Sequence, residues 1–464
     1  MAGDHGLRST ALATVGHLHH HACNFANAKA QTSAHVVADF PLHDTLPGIR
    51  GSWTRAEVLR YGELAMAAYE EFDGDKWSPY YGSCRRGLRR MVPGHGYVAT
   101  AFIYATVDVL PEWVEPIINA EKWDDSAHWI GYVAVAGDAE ARRAGVRDVA
   151  VVWRGTSSRV EWAMDVMTSI VPFASGGDKK KAKVAKGFHG LYTDNNEKKL
   201  DKDRPGSEFG RVSAQEQVAG ELRRLLDYFR DERDEEVRVT FTGHSLGGAL
   251  ALLAARDAAA AHPGLQVRAV TFGGPRVGNR AFRDGLVDGD VAVLRVVVAG
   301  DPVPWLPCLP AANLVALPLT LLPLGKHVHW LARRWAPSWA YLHAAGDELV
   351  LHVAASEHLK QDYDLQGRHS LDVYLHLLDG GKRRDVALVN RSSSMLIEEV
   401  GIPARWRQAA NKGLEMDAQG HWFMPKRDED DEPKANDKLK LPEELLHRHR
   451  LGRDMPETAR PHAG

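Results

Sequence analysis

The sequence predicts an α/β fold in which helices flank a mostly parallel central sheet. Apolar runs without strict alternation, such as Val149 to Trp153 and Val267 to Phe272, recur along the chain. Such runs are typical of strands buried on both faces. Helical patterns separate them, as expected when crossover helices join parallel strands.

Length and composition indicate an ordinary globular protein. The chain has 464 residues, 44% hydrophobic and 26% charged, which is enough for a large core. A formal net charge of -3 implies no field that would attract nucleic acid. The cysteines are Cys23, Cys84 and Cys308. An odd, sparse count argues against a disulfide framework and for a reducing compartment.

The two ends of the chain differ in composition from its middle. Residues 1–51 form an N-terminal extension, read as either a targeting segment or a disordered one. It is poor in acids and rich in Ala and His, and it lacks the apolar core of a secretory signal. A cluster in it could bind a metal: His17, His19, His20, His21 and Cys23. No paired ligand set follows at zinc-site spacing, which favours a solvated tail. Residues 425–464, with unbroken acid from Asp428 to Glu432, predict a charged, flexible tail.

Residues 52–424 are predicted to form one domain. Helical spacing of apolar residues predicts a helix over Glu57 to Phe72. Strands are predicted over Gly96 to Val107, Ile130 to Ala136 and Val149 to Trp153, with a polar connection at Gly137 to Gly145.

Three further stretches of the chain carry helix or strand patterns. Ser157 to Phe173 carries apolar residues near one helical face, including Ile170 and Val171. Ser213 and Glu216 form a capping box that predicts the start of a helix. A later strand is predicted over Val291 to Val298.

Gly243-His244-Ser245-Leu246-Gly247 reads G-x-S-x-G. A β-branched run, Val237 to Thr242, precedes it, and an Ala/Leu-rich helical pattern, Gly248 to His262, follows. This context predicts a nucleophile elbow, a sharp turn that exposes Ser245 Oγ at the carboxyl end of a strand. His244 is expected to be structural, because the turn points it away from Ser245.

A serine nucleophile needs a base and a carboxylate that orients the base, and in elbow enzymes both follow the serine in the chain. Asp301 comes directly after a predicted strand and is the candidate acid, although Gly-Asp-Pro also begins turns. The candidate bases are His343, His352, His358, His369 and His376. Spacing alone selects none of them. His369 lies in a polar loop before a helical pattern, whereas His376 within that pattern is less free.

The oxyanion of a tetrahedral intermediate needs two donors. The backbone N–H of Leu246 is one candidate, because it follows the nucleophile. Thr156, at the end of the strand that finishes at Trp153, offers a backbone N–H and a hydroxyl as the second.

Val303 to Gly325 is uncharged and contains five prolines. It is long enough to cross a bilayer, but the prolines oppose a regular spanning helix. We interpret it as a buried or membrane-touching insert, with ordinary core filling as the alternative. The basic aromatic stretch that follows, Lys326 to Trp335, would suit a lipid surface.

Several linked motifs resemble the class 3 (fungal-type) lipases: Gly243 to Gly248, Trp153 to Thr156, Thr271 to Asn279 and Asp301 to Pro304. Others are similar to the plant phospholipase A1 branch of that class: Tyr61 to Ala65, Gly131 to Ala136, His369 to His376, and Val389 to Ser393 with Asn411 to Gly413. The similarity covers about residues 52–424. Ser83-Cys84-Arg85 and the Pro-rich insert look more like the plastid-directed subgroup than the cytosolic one.

The resemblance implies an α/β-hydrolase fold with a lid at Ser157 to Phe173. It also implies roles for single residues: nucleophile Ser245, orienting acid Asp301, general base His369, and oxyanion donors Thr156 and Leu246. The family cleaves the sn-1 ester of glycerophospholipids without a metal or cofactor. A glycerolipid substrate, transient contact with a membrane or lipid interface, and a chloroplast location, with cytoplasm as the alternative, follow as expectations.

Two departures from the family pattern stand out. The segment before Tyr61 lacks the usual Leu-Asp-Pro-Leu-Asp-like run, and Tyr341 to Leu349 replaces a His-Val-Gly core with an altered one. Two other functions stay open: a galactolipid or triacylglycerol lipase with the same triad, and a catalytically idle, lipase-like scaffold that binds a lipid or a signalling partner. An intact set of Ser245, Asp301 and His369 argues against the scaffold.

Overall fold

The structure is a computed structural model. It describes residues 53–74, 80–88, 91, 96–106, 127–155, 169–173, 182–195, 210–307, 341–362, 364–379, 395–397, 415–416, 419, 422–423 and 438–441. The α-helices in these ranges are α1 (Arg55–Glu70), α2 (Asp138–Ala144), α3 (Lys186–Thr193), α4 (Ala214–Leu226), α5 (Leu246–Ala261), α6 (Arg280–Asp288), α7 (Leu365–Arg368) and α8 (Leu371–Leu378). The strands are β1 (Tyr97–Ala105), β2 (His128–Ala136), β3 (Arg147–Trp153), β4 (Ile170–Pro172), β5 (Lys183–Ala185), β6 (Val237–His244), β7 (Gln266–Phe272), β8 (Ala292–Val298), β9 (Asp347–Leu351), β10 (Glu415–Met416) and β11 (Trp422–Phe423).

Seven of the described strands form the central sheet, in the order β1-β2-β3-β6-β7-β8-β9. The pairs from β3 to β9 are parallel, and β1 and β2 add an antiparallel edge, so the predicted mostly parallel sheet is confirmed. Trp153 pairs with Gly243, and Gly243 pairs with Thr271. The carboxyl ends of β3, β6 and β7 therefore meet at one edge of the sheet, where α/β folds build their sites.

Most elements predicted from the pattern are confirmed. The helix predicted over 57–72 is α1, which begins earlier because Thr54 and Glu57 close a capping box. The predicted capping box of Ser213 and Glu216 likewise opens α4. The elbow strand and the helix after it are β6 and α5, and the two later strands are β7 and β8.

The polar connection predicted at Gly137 to Gly145 joins β2 to β3, and residues Asp138–Ala144 within it form the short helix α2, which the pattern does not predict. Gly145 ends the helix in the left-handed conformation, with a φ of 70°. Acidic side chains lie in its first turn and basic ones in its last, which suits the helix dipole.

The prediction that Ile170 and Val171 lie on a helical face is wrong. Both belong to β4, which pairs antiparallel with β5, and the backbone N–H of Phe173 extends the pairing to Ala182. A partner strand thus decides the conformation of this β-branched stretch. The rest of the predicted lid, residues 157–168, lies outside the described residues.

A short part of the predicted charged tail, residues 438–441, packs against the domain mainly through Leu439. Leu439 is buried, and its backbone N–H donates to the carbonyl oxygen of Thr100 in β1. Arg224 of α4 donates to the carbonyl oxygen of Leu439 at 3.0 Å. Lys438 lies 3.7 Å from the buried carboxylate of Glu221. The short segment 438–441 therefore covers part of the edge strand β1.

Other predictions fall on residues that the structure does not describe. The N-terminal extension with its metal-binding candidates, residues 308–340 of the insert region, and most of the tail are among them. Of the insert, Val303–Trp305 forms a single 3-10 turn after Asp301. Within the described ranges, no helix has both the length and the hydropathy needed to span a membrane.

Candidate active site

Ser245 lies in a strained turn between β6 and α5. Its backbone has φ 58° and ψ -125°, a conformation that residues other than glycine rarely adopt. A Cβ on Gly243 would overlap the backbone of Gly247, and a Cβ on Gly247 would overlap the carbonyl of Trp153. Only glycine therefore fits two positions before and two positions after the serine. The turn packs against the end of β3, as the predicted elbow requires.

A hydrogen-bonded chain runs from Ser245 through His369 to Asp301. The distance from Ser245 Oγ to His369 Nε2 is 2.8 Å, and the distance from His369 Nδ1 to Asp301 Oδ2 is also 2.8 Å. A carboxylate only accepts, so Nδ1 carries the proton and the Nε2 lone pair faces the serine hydroxyl. This is the arrangement that allows an imidazole to remove the serine proton.

Asp301 is held by more than the histidine. It is fully buried directly after β8, and its Oδ1 accepts the backbone N–H of Val303 at 2.9 Å. Its Oδ2 also accepts the hydroxyl of Tyr374 at 2.5 Å. Burial, and then the neighbouring Asp301 charge, raise the pKa of Tyr374 well above its ordinary value, so the phenol stays a donor.

Tyr374 is a site residue that sequence reasoning missed. It lies in α8, whose other residues are mostly apolar, and a buried hydroxyl in such a helix requires a hydrogen-bond partner. That requirement is a signal in the sequence. It does not identify the partner, because Asp301 lies 73 residues earlier in the chain.

The structure separates the five candidate histidines. His369 follows the four-residue helix α7, and among the five candidates, in the described part of the chain, it is the one whose ring hydrogen-bonds Ser245. His343 Nε2 accepts from Arg276 at 3.3 Å. His376 lies 2.6 Å from Ser356 Oγ, with the buried ring of His358 beside it. These three histidines belong to other networks.

The predicted oxyanion donors are only partly described. Leu246 is the first residue of α5, and the first N–H groups of a helix have no partner within it. Thr156 lies outside the described residues. The preceding residue, Gly155, is buried, and a Cβ on it would lie 3.2 Å from Ser245 Cβ. The chain that follows β3 therefore passes close to Ser245 at Gly155. The oxyanion role of Thr156 stays a prediction.

The C-terminal end of the predicted lid is anchored. The carbonyl oxygen of Ser169 accepts the hydroxyl of Tyr341 at 3.2 Å and the backbone N–H of Lys186 at 2.8 Å. Phe173 is buried against Phe282 at a centroid distance of 5.7 Å. These contacts fix where the segment of residues 157–168 rejoins the domain.

A family model and two relatives place this chain in one family. The model of the family "Lipase (class 3)" matches residues 150–310, which contain Ser245 and Asp301. Phospholipase A1-Igamma1, chloroplastic, from Arabidopsis thaliana is 38% identical over 86% of this chain and 79% of its own length. Phospholipase A1-II 6 from Oryza sativa subsp. japonica is 34% identical over 82% of this chain and 91% of its own length. The solved Rhizomucor miehei triacylglyceride lipase is 26% identical, with a TM-score of 0.36 over 57% of this chain and 78% of its own.

Proposed function

This chain belongs to the class 3 lipase family, and we propose that it is a serine acylhydrolase that cleaves the sn-1 ester of glycerophospholipids, a phospholipase A1. The relatives named above are phospholipases A1 and match most of the chain. The observation that carries the proposal is the hydrogen-bonded series of Ser245, His369 and Asp301 at the end of the parallel sheet.

The geometry supports a two-step acyl transfer. Ser245 Oγ attacks the ester carbonyl carbon while His369 Nε2 takes its proton. The carbonyl oxygen becomes an oxyanion, for which we propose the N–H of Leu246 and the donors of Thr156 as partners. The ester C–O bond then breaks, and His369 returns the proton to the departing lysophospholipid hydroxyl.

The second step regenerates the enzyme. Water gives a proton to His369 Nε2 and attacks the acyl carbon. The bond between the acyl carbon and Ser245 Oγ then breaks, His369 returns the proton to Oγ, and a fatty acid is released. Asp301 Oδ2 accepts the Nδ1–H of His369, which keeps the neutral imidazole in the productive tautomer and stabilises the imidazolium once it forms. This chemistry uses no metal or cofactor.

The direct test is the change Ser245→Ala. We expect it to abolish sn-1 release from phosphatidylcholine and labelling by a fluorophosphonate probe. Ser356→Ala is a matched control, because Ser356 Oγ also lies beside a histidine, His376, but not in the elbow. Retained hydrolysis by the Ser245→Ala protein would refute the proposal.

Head-group preference needs a separate comparison. Initial rates of fatty-acid release from phosphatidylcholine, monogalactosyldiacylglycerol and triolein should be highest for phosphatidylcholine, with sn-1-labelled lipid giving labelled fatty acid. A higher rate on either neutral lipid would change the proposed substrate class but not the proposed roles of Ser245, His369 and Asp301.

We further propose that the enzyme acts at a lipid interface and resides in plastids. The apolar residues in the sequence of residues 157–168 support docking on lipid, because an apolar face that contacts lipid gains free energy there. The names of the chloroplastic relatives support the location. Equal turnover of monomeric and micellar ester would contradict the first proposal. A cytosolic fluorescent fusion of residues 1–60 would contradict the second.

A further inference from the structure

His244 and Tyr69 form a hydrogen-bonded bridge beside the triad. His244 Nε2 lies 2.8 Å from the backbone carbonyl oxygen of His369. The Tyr69 hydroxyl lies 2.7 Å from His244 Nδ1. A carbonyl oxygen only accepts, so Nε2 carries the proton, and Nδ1 accepts the Tyr69 O–H. One imidazole therefore joins the helix α1 to the backbone of the candidate base.

The bridge also reaches the strand that leads to Thr156. The Tyr69 hydroxyl accepts a hydrogen bond from the backbone of Gly155. A Cβ on Gly155 would overlap that hydroxyl, so the contact is close. The series Gly155, Tyr69, His244, His369 thus connects the end of β3, the elbow and the turn between α7 and α8.

Burial keeps the His244 ring neutral and the Tyr69 hydroxyl protonated, as the hydrogen-bonded bridge requires. His244 is buried, and burial followed by the nearby His369 lowers its pKa well below the ordinary value. The two imidazole centroids are 4.7 Å apart. Burial raises the pKa of Tyr69, which therefore remains a hydroxyl donor. A neutral His244 also places no second positive charge beside His369 when that residue takes the serine proton.

We propose that Tyr69 and His244 are positioning residues for the general base, holding the backbone of His369 in register with the serine and with the end of β3. The inference rests on the proposed hydrolase function. His369 lies in a short turn after a four-residue helix, and a bond from Nδ1 to Asp301 orients the ring without fixing the backbone. A misplaced base is costly, because proton transfer depends steeply on geometry.

Two substitutions of His244 test its two hydrogen bonds separately. His244→Gln keeps an N–H near the Nε2 position and can still donate to the His369 carbonyl. His244→Asn keeps a polar group near the Nδ1 position for Tyr69 but has no donor for that carbonyl. We expect kcat to fall roughly fivefold further in His244→Asn than in His244→Gln, with KM changing less than about twofold, since a single hydrogen bond is worth about 1 kcal/mol.

Tyr69→Phe and a double variant test whether the tyrosine acts through the histidine. Tyr69→Phe should lower kcat by roughly fivefold. Adding it to His244→Gln should cost less than it does in the wild type, because Gln has already removed the Nδ1 acceptor and only the contact with Gly155 remains to be lost. Tyr132→Phe is the matched control: its buried hydroxyl also bonds α1, through the Leu64 carbonyl at 2.7 Å, but it does not touch the bridge. That variant should unfold at lower temperature and keep its kcat.

The rate of Ser245 labelling by a fluorophosphonate probe should also be lower in His244→Asn than in His244→Gln. This rate does not depend on which lipid is the substrate. A labelling rate for His244→Asn equal to or above that of His244→Gln would overturn the inference. So would full additivity of Tyr69→Phe and His244→Gln, which can be scored even if His244→Asn does not fold. An inert wild-type protein would instead refute the proposed function.

Discussion

The Asp301 carboxylate is the most heavily hydrogen-bonded group of the triad. Its Oδ2 receives both the His369 Nδ1–H and the Tyr374 O–H, and its Oδ1 receives the backbone N–H of Val303. Because three donors converge on it, the carboxylate cannot rotate away from the histidine without losing bonds. Its orientation is therefore set by residues on two elements, the turn after β8 and the helix α8.

Tyr374→Phe should lower kcat about tenfold and leave KM nearly unchanged, because hydrogen bonds to charged groups are worth about 1.5 to 3 kcal/mol and part of this loss falls on orientation. Initial rates of sn-1 release measure it. Tyr97→Phe is a matched control, since that buried hydroxyl donates to Asp148, also a carboxylate, at 2.7 Å. A tenfold loss in the control as well would mean that kcat reports general stability.

His376 predicts a pH-dependent stability. Burial, and then the neighbouring His358, lower the pKa of His376 to about 4, whereas an unfolded histidine titrates near 6.5. Above pH 6.5 both states are neutral. As the pH falls towards 4, the unfolded chain binds the proton first, so the free energy of unfolding should decrease by up to about 3 kcal/mol.

Urea unfolding at pH 7.5 and pH 5 measures this loss. His376→Gln keeps an amide near Ser356 Oγ, which lies 2.6 Å from the histidine Nε2, and removes the titration. The variant should therefore lose about 2 kcal/mol less between the two pH values than the wild type. An equal loss in both proteins would assign the acid sensitivity to other groups.

Among the elements, the elbow tolerates the least change. The first turn of α5 lies directly on the end of β3, so a methyl group on Gly247 meets the Trp153 carbonyl. Gly247→Ala should reduce the rate of Ser245 labelling at least about 100-fold, because the helix must shift and the nucleophile shifts with it. A near-normal labelling rate would mean that the elbow accommodates the added methyl group, contrary to what the structure implies.

Gly220→Ala is the matched control for that change. Gly220 lies inside α4, where the nearest atom to an added Cβ is Lys438 Nζ at 4.0 Å. Alanine favours a helix over glycine by about 0.5 to 1 kcal/mol. The control should therefore keep full labelling and raise the melting temperature.

Some of the short elements could not be predicted from the sequence pattern. The ribbon exists because β4 pairs with β5, which follows it after residues 173–182, and because Val184 in β5 also bridges to Gly278. The periodicity of residues 157–173 carries no information about that partner. The helix α2 was similarly overlooked, because seven residues are too few for a clear apolar period.

At the scale of the whole molecule, the C-terminal segment stabilises the edge of the sheet. Leu439→Ala should lower the free energy of unfolding by about 2 to 3 kcal/mol, since a buried leucine loses its apolar contacts and leaves a cavity over β1. Lys440→Ala, at an exposed neighbour, should change it by less than about 0.5 kcal/mol. Urea unfolding of both variants, with activity as a second readout, makes the comparison. Equal stability would mean that the segment is not held to the domain.

Residue patterns by themselves determined the sheet, the elbow at Ser245 and the strand end that carries Asp301. These depend on local chemistry: apolar runs, capping boxes and glycine spacing act over a few residues. Spacing could not choose among five histidines, and His369 was singled out by resemblance. Only the tertiary structure decided that His369 lies beside Ser245, that Tyr374 bonds Asp301, and that His244 and Tyr69 bridge to the base. Those contacts join residues from 73 to 175 positions apart, and packing rather than local preference brings such residues together.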